Sequence, residues 1–405
     1  MKYLLSILIL ILTNSMNAQK NSKLLKDLLL NKASDSLKQT LNHPQKYKYQ
    51  IIYTQINRDE KNTPVFKNYF MNVGGDQYFY PASMAKLPIA LLALEKVNTI
   101  GNGVDMFTTM VTDTVQADSS AQNGLPSIAH YIKKIFLISD NDAYNQLFNF
   151  VGHQYINETL WKKGYKDVQI TRQFVKHTDE QNRISSAVQF KKGNKVLYEQ
   201  ATMKSNLKLD YSRKLFIGKK YLDDNDKLID APKEFTTSNI LSLETLQLMF
   251  QAVLFPQSVE KKYRFNLTKE QYRFLYQYMS EWVSESAFPK YDANEFFDSY
   301  TKFFFFRADG RKQPPTYIRS FNKTGWSYGC LTDVCYIIDT KNKIEFILSG
   351  TIYANEDEIL NDDKYDYETI GYPFFKEVGE IIYQYELKRK RKNTPNLNVF
   401  KIKYK

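Results

Sequence analysis

Cysteine is the scarcest informative residue in this 405-residue chain, with two copies, Cys330 and Cys335. Two are too few for a disulfide scaffold, even in an oxidising compartment. On one strand, an odd separation points them to opposite faces and leaves them unbridged. The four histidines are scattered, and no Cys/His spacing suits zinc. No glycine-rich phosphate loop is present. Metal and nucleotide chemistry are therefore not expected, and no cofactor is called for. Beyond the first dozen residues no apolar run is long enough to span a bilayer, so no integral membrane segment is expected after signal removal.

The chain opens as an exported protein does. Lys2 supplies the positive end, Leu4 to Leu12 the apolar core, and Met16-Asn17-Ala18 a small-residue exit, so residues 1–18 read as a signal peptide and the mature protein as periplasmic or secreted. The apolar core is too short for an anchor, and no cysteine follows it to carry lipid. Net charge is +12, much of it in Lys388-Arg389-Lys390-Arg391-Lys392 and Lys401, Lys403, Lys405. On an exported protein this basic tail (388–405) reads as a solvated, frayed end rather than a nucleic-acid contact. A monomer with no nucleic-acid partner is the expected state.

Period-2 and period-3.6 patterns divide the rest. Leucines 24, 25, 28, 29, 37 and 41 mark a helical stripe. Residues 47–57 and 65–73 read as a hairpin, and the pattern from Ile89 to about Val283 is mainly helical. Three strands then form a meander from Ser320 to Ala354, and Glu368 to Lys388 closes the chain as a helix. Strands at both ends and helices between predict an α+β fold, an α/β/α sandwich. Its antiparallel sheet is assembled from N- and C-terminal segments, and an all-helical lobe (roughly 89–283) is inserted. The main domain spans 19–387, and residues 183–234, with a hairpin at Lys192-Gly193-Asn194, and 286–319 fit it badly and read as insertions. A cleft between sheet and lobe is the expected small-molecule site.

Three short motifs carry the chemistry. Ser-x-x-Lys occurs five times, at 83–86, 205–208, 258–261, 299–302 and 320–323, so at least four cannot be nucleophile–base pairs. Ser83–Lys86 stands alone in opening an apolar helical run, Leu87 to Leu94. One helical turn apart, the two side chains share a face, and a neutral amine there can take the serine proton. Ser139-Asp140-Asn141 lies between two helical patterns, and Lys323-Thr324-Gly325 on the first strand of the meander. In this order the chain resembles the class A β-lactamase and penicillin-binding protein superfamily of serine enzymes. Tyr328-Gly329 with Thr332-Asp333, and Thr236-Thr237 ahead of the Leu241–Leu254 helix, extend the likeness over most of residues 47–387.

The resemblance implies a hydrolase acting on a β-lactam or related amide, a small-molecule or peptidoglycan-derived substrate, through a Ser83 acyl-enzyme. Lys86 would be the base, depressed by burial and by Lys323. Ser139 would pass a proton to the leaving nitrogen, and Asn141 would hold the substrate amide and Lys86, while Asp140 braces the loop. Lys323 and Thr324 would anchor a substrate carboxylate, and Gly325 would let the substrate lie along the strand. The N–H groups of Ser83 and Trp326 would form the oxyanion hole. Trp326 replaces a small residue of the family, and either lines the cleft or packs under a neighbouring loop. The deacylating glutamate of class A is the second departure. Counting from Ile170-Thr171-Arg172 puts His177 in its place, with Asp179 and Glu180 nearby, and Glu180 is the carboxylate assigned there. Without a base at that point the chain would instead acylate and release slowly, as a D,D-peptidase, an esterase or a non-hydrolytic sensor does.

Overall fold

The computed structural model describes residues 19–74 and 77–404. The signal segment, residues 1–18, lies outside them. The principal sheet has five antiparallel strands: β1 (Gln50–Arg58), β2 (Pro64–Met71), β3 (Ile318–Ser327), β4 (Cys330–Asp339) and β5 (Ile344–Tyr353). Their order is β3-β4-β5-β1-β2, so the N-terminal hairpin joins the C-terminal meander through the β1–β5 ladder, with Tyr53 opposite Leu348. β3, which carries the Lys-Thr-Gly triplet, is an edge strand.

Alternation along the strands feeds two cores. On one face Phe321, Val334, Tyr336 and Ile347 pack with the helical lobe. That lobe includes α3 (Lys86–Val97), α4 (Ile128–Ile138), α5 (Asn141–Val151), α6 (His153–Lys162), α7 (Leu243–Leu254) and α8 (Lys269–Ser280). On the other face Leu331, Cys335, Phe346 and Leu348 pack against α1 (Lys23–Lys32), α2 (Asp35–Asn42) and α9 (Tyr372–Lys388). The sheet is thus covered on both faces, as the pattern predicts. Both cysteines are free, and they face opposite cores.

Three stretches fall outside this sheet-and-helix plan. Residues 183–234 interrupt the helical lobe with short strands. Val188–Lys192 and Lys195–Gln200 form the predicted hairpin and extend Thr109–Thr112 into a small sheet. Lys220–Leu222 pairs in parallel with Ile359–Leu360, tying this insertion to the loop after β5.

In the second insertion, Phe303 and Phe304 fill the core between sheet and α9. Buried Asp333 accepts their amides at 3.0 and 3.1 Å and the Asn322 side-chain amide at 2.9 Å. Fully enclosed beside them, Lys302 donates to Asn322 Oδ1 at 2.7 Å and to the carbonyls of Met279 and Ser320 at 2.7 and 3.0 Å. Few charges are buried this deeply without such a complete set of partners.

The tail is not a frayed end. Arg389 and Arg391 both pair with Glu386, which is wholly buried. Phe400 is 4 % exposed and packs its ring against Tyr336 and Tyr276 at 4.8 and 5.1 Å. Tyr404 meets Ser280 Oγ at 2.7 Å. Burying a phenylalanine to this extent stabilises by roughly 1.5–3 kcal/mol, more than a solvated tail loses on ordering one side chain. The aromatic residues spaced through the basic run are the signal that charge counting passes over.

Candidate active site

Ser83 sits in a 3-10 turn, Ala82–Ala85, that runs directly into α3. The turn is tight. Ala82 takes a left-handed φ of 45°, and the Met84 amide bonds the Pro81 carbonyl at 2.9 Å. α3 is apolar on all sides and buried almost throughout, so the lysine in its first turn is carried into the interior. Lys86 is 0 % exposed. Its ammonium meets the Ser139 carbonyl, Asn141 Oδ1 at 2.7 Å and Ser139 Oγ at 3.4 Å. Ser83 is not among these partners. Burial holds the Lys86 pKa well below its ordinary value, and the nearby Lys323 charge pushes the same way. The Phe174 ring caps the amine at 4.9 Å.

Ser139 ends α4 in the left-handed conformation, φ 62° and ψ 40°. That twist turns both its carbonyl and its hydroxyl towards the lysines. Asp140 does not face substrate: it caps α5 through the Ala143 amide at 2.7 Å and pairs with Lys134 at 3.4 Å. Asn141, the first residue of α5, keeps its amide exposed beside Lys86.

Lys323 projects from β3 to the same hydroxyl. Its Nζ lies 2.9 Å from Ser139 Oγ and 2.5 Å from the Thr324 carbonyl. Burial lowers its pKa to about 7, with Asp333 opposing and Lys302 assisting. Thr324 points the other way, opposite Asp333, and its hydroxyl is buried without a partner among the described residues. Lys323, Thr324 and Gly325 therefore stand beneath the cleft rather than on its surface. Gly325 is where β3 meets the nucleophile turn: a Cβ there would lie 2.6 Å from the Pro81 carbonyl and 3.0 Å from the Ser83 amide. Trp326 does both things open to it, lining the cleft while its ring packs edge-on against Tyr300 and Phe303 at 5.7 and 5.6 Å.

The cleft above these residues has a volume of about 820 Å³. Ser83, Ser139, Asn141 and Trp326 reach it, with Tyr80 and Tyr328 on the sheet side. Arg172 to His177 form a further wall, and Asp224 and Lys233 enter from the first insertion. Glu180 does not line it: the side chain is 74 % exposed and lies 3.7 Å from Lys204. Among the described residues that line the cleft, Asp224 is the one acid, and it pairs with Lys176 at 3.1 Å. His177 does line the cleft, with Nδ1 buried and without a partner among the described residues. Among the described residues no cluster of His, Cys, Asp or Glu is arranged to hold a metal ion.

Sequence reasoning missed Phe174, Arg172 as a cleft residue, Lys233 and Tyr300. The Ile170-Thr171-Arg172 match draws attention to the right loop, but no spacing rule shows which of its side chains turn inward. Lys233 and Tyr300 arrive on insertions and carry no local signal.

Residues 32–215 match the beta-lactamase enzyme family, a span that includes Ser83, Lys86, Ser139 and Asn141 and ends before Lys323. No curated protein matches the chain by sequence. Among solved structures it is similar to a beta-lactamase from Sphaerobacter thermophilus DSM 20745, at 14 % identity over 87 % of this chain and 96 % of that one, TM-score 0.46. It is also similar to the beta-lactamase from Streptomyces albus G, at 11 % identity over 86 % and 99 %, TM-score 0.48. A third, from Xanthomonas campestris pv. campestris str. ATCC 33913, has 12 % identity over 86 % and 98 %, TM-score 0.48.

Proposed function

We propose that this chain is an exported serine hydrolase of the serine β-lactamase and penicillin-binding superfamily, one that opens a β-lactam or related amide through a Ser83 acyl-enzyme and releases the acyl group slowly. The observation that carries the reading is the convergence of two buried amines on one hydroxyl. Lys86 and Lys323 approach Ser139 Oγ at 3.4 and 2.9 Å, and one of them stands a helical turn from a serine on the cleft. Two cations this close cannot both keep their protons cheaply in a dry site, which favours a neutral amine ready to accept one.

The steps follow from who touches whom. Neutral Lys86 takes the Ser83 hydroxyl proton as Oγ attacks the substrate carbonyl. The tetrahedral oxyanion is held by the N–H groups of Ser83 and Trp326, whose backbones the Gly325 contact brings together. Lys86, now protonated, passes a proton through the Ser139 hydroxyl to the departing amide nitrogen. That C–N bond breaks, and Ser83 remains acylated. Release needs a water and a base. The acid that lines the cleft is already engaged with Lys176, and a phenyl ring rather than a carboxylate covers Lys86. This supports slow deacylation, as in a D,D-peptidase or a sensor.

A second reading rests on His177. Its ring lines the cleft, with Nδ1 buried on the inner side, and is a candidate to orient or deprotonate the hydrolytic water, which would give turnover of the class A kind. Intact-mass measurement after adding a penicillin decides. A Ser83 adduct that persists for minutes supports slow release, and one that vanishes within seconds supports His177-assisted turnover. No adduct on the native protein, or the same adduct on Ser83→Ala, removes Ser83 as the nucleophile. Export rests on the Lys2-to-Ala18 pattern alone. Amino-terminal sequencing of the mature protein tests it, with a start near Gln19 expected.

A further inference from the structure

Two cations on the cleft have no anion of their own. Arg172 and Lys233 are both half-buried. Among the described residues the Arg172 guanidinium forms no hydrogen bond or ion pair, and the Lys233 ammonium meets only the face of Tyr221, at 4.6 Å. They are near enough to repel: the Lys233 pKa is lowered first by its burial and further by Arg172, while Asp224 opposes. Asp224, the one acid among the described cleft residues, is shared with Lys176 in a well-exposed pair, 84 % and 81 % exposed. The wall therefore carries Arg172, Lys176 and Lys233 against a single carboxylate. Holding unpaired charges part-way out of water costs free energy that a surface arginine or lysine avoids by turning outward. Arg172 is kept inward by its own backbone, whose N–H bonds Asn239 and whose carbonyl accepts from Tyr144. Lys233 is fixed in a short strand, Lys233–Glu234, paired with Phe216–Ile217.

We propose that Arg172 and Lys233 form an anion subsite that selects substrates bearing a carboxylate on the acyl side of the scissile amide. This rests on the serine-hydrolase reading for its orientation: with Asn141 holding the acyl amide, the acyl group runs towards the Arg172–His177 wall. It is separate from Lys323, which lies beneath the cleft. Arg172 offers a planar fork that matches a carboxylate, and Lys233 adds a second charge. Tyr300 from the second insertion and Trp326 from β3 contribute the opposite character, so a substrate with an anionic acyl arm on one side and flat apolar surface on the other fits the cleft.

The test uses benzylpenicillin and carbenicillin, which differ by one carboxylate on the acyl side chain. Equilibrium binding is measured on the mature Ser83→Ala protein, so that no step depends on acylation. Carbenicillin is expected to bind about tenfold more tightly, with the preference shrinking as salt rises. Arg172→Gln and Lys233→Gln, each in the Ser83→Ala background, are expected to bring the two affinities together. Equal binding of the two probes, no binding of either, or a preference that survives both substitutions overturns the subsite. Adduct formation on the native protein is read in parallel. A carbenicillin preference with no adduct removes the nucleophile and leaves the subsite standing, whereas adducts without a preference do the reverse. Circular dichroism and melting of each variant separate a lost fold from a lost charge.

Discussion

Gly325→Ala is the sharpest perturbation this structure offers. The added methyl would sit 2.6 Å from the Pro81 carbonyl, 2.9 Å from the Met84 amide and 3.0 Å from the Ser83 amide. All three are backbone atoms in one hydrogen-bonded turn, so no rotamer change relieves the clash. β3 and the turn must part by roughly 0.5–1 Å to restore ordinary contact. Overpacking of this kind costs about 1–3 kcal/mol. In a chain this long that is only a few degrees in melting temperature, at roughly 1 °C per kcal/mol. The functional loss is expected to be larger, because the displacement separates the two amides of the oxyanion hole along the axis that matters. A misplacement near 1 Å costs on the order of 100-fold in rate. Stopped-flow acylation by a chromogenic cephalosporin, alongside a thermal melt, reads both. A variant that melts within a few degrees of the parent and acylates about 100-fold more slowly agrees with the geometry. Acylation within about threefold of the parent would refute the argument that this contact sets the site.

The acylation rate should rise with pH through the depressed Lys86 pKa, since the amine must lose its proton to act; Lys323→Met removes a repelling charge, so that limb should move to higher pH in a pH–rate profile. Phe174→Ala wets the same amine and should move the limb the same way, and an unmoved limb would show that burial by this ring does not tune Lys86. Glu180→Gln should leave deacylation within about twofold, given an exposed side chain that reaches only Lys204, whereas His177→Ala should slow it about tenfold or more if that ring handles the water; rapid mass spectrometry of the adduct distinguishes them. Lys302 and Lys323 are each lowered to about 7, so between pH 7 and 9 the unfolded chain binds more protons than the folded one and stability should climb with pH, by roughly 2 kcal/mol per lysine. Lys302→Met should lower the melting temperature, because Asn322 and two carbonyls lose their donor, and should also flatten that climb; an unchanged slope in chemical denaturation would exclude Lys302 as its source.

What was legible in the sequence is what a single element fixes. Ser83 and Lys86 are three residues apart where a 3-10 turn runs into α3, Ser139 to Asn141 are one loop, and Lys323 to Trp326 are one strand, so spacing translates directly into geometry. The sheet was legible for the same reason: period-2 patterns at both ends had to find each other. The rest depends on distant segments meeting. Lys302 sits beside a run of four phenylalanines that reads as an awkward insertion, yet that run is part of the second core, and only Asp333 and Asn322, from strands far along the chain, explain why a lysine is tolerated there. Arg172 and Lys233 are 61 positions apart by their numbers, and their sharing of one wall follows from the strand pairing of the first insertion. The tail misled because charge and aromatic content were weighed separately, and Phe400 and Tyr404 decide where it goes.

The β1–β5 ladder has a consequence for how the molecule comes into being. β1 is made roughly 290 residues ahead of β5, so β1 waits with one edge open while the helical lobe and both insertions emerge. The strand carrying Lys323 follows Ser83 and Ser139, and Phe400, which packs against that strand, comes later still. The nucleophile is thus synthesised long before the surface it leans on. A chain cut between residues 84 and 317 keeps Ser83 and has no strand to hold it, so the candidate site can close only once the segments carrying Ser83, Ser139 and Lys323 are all made.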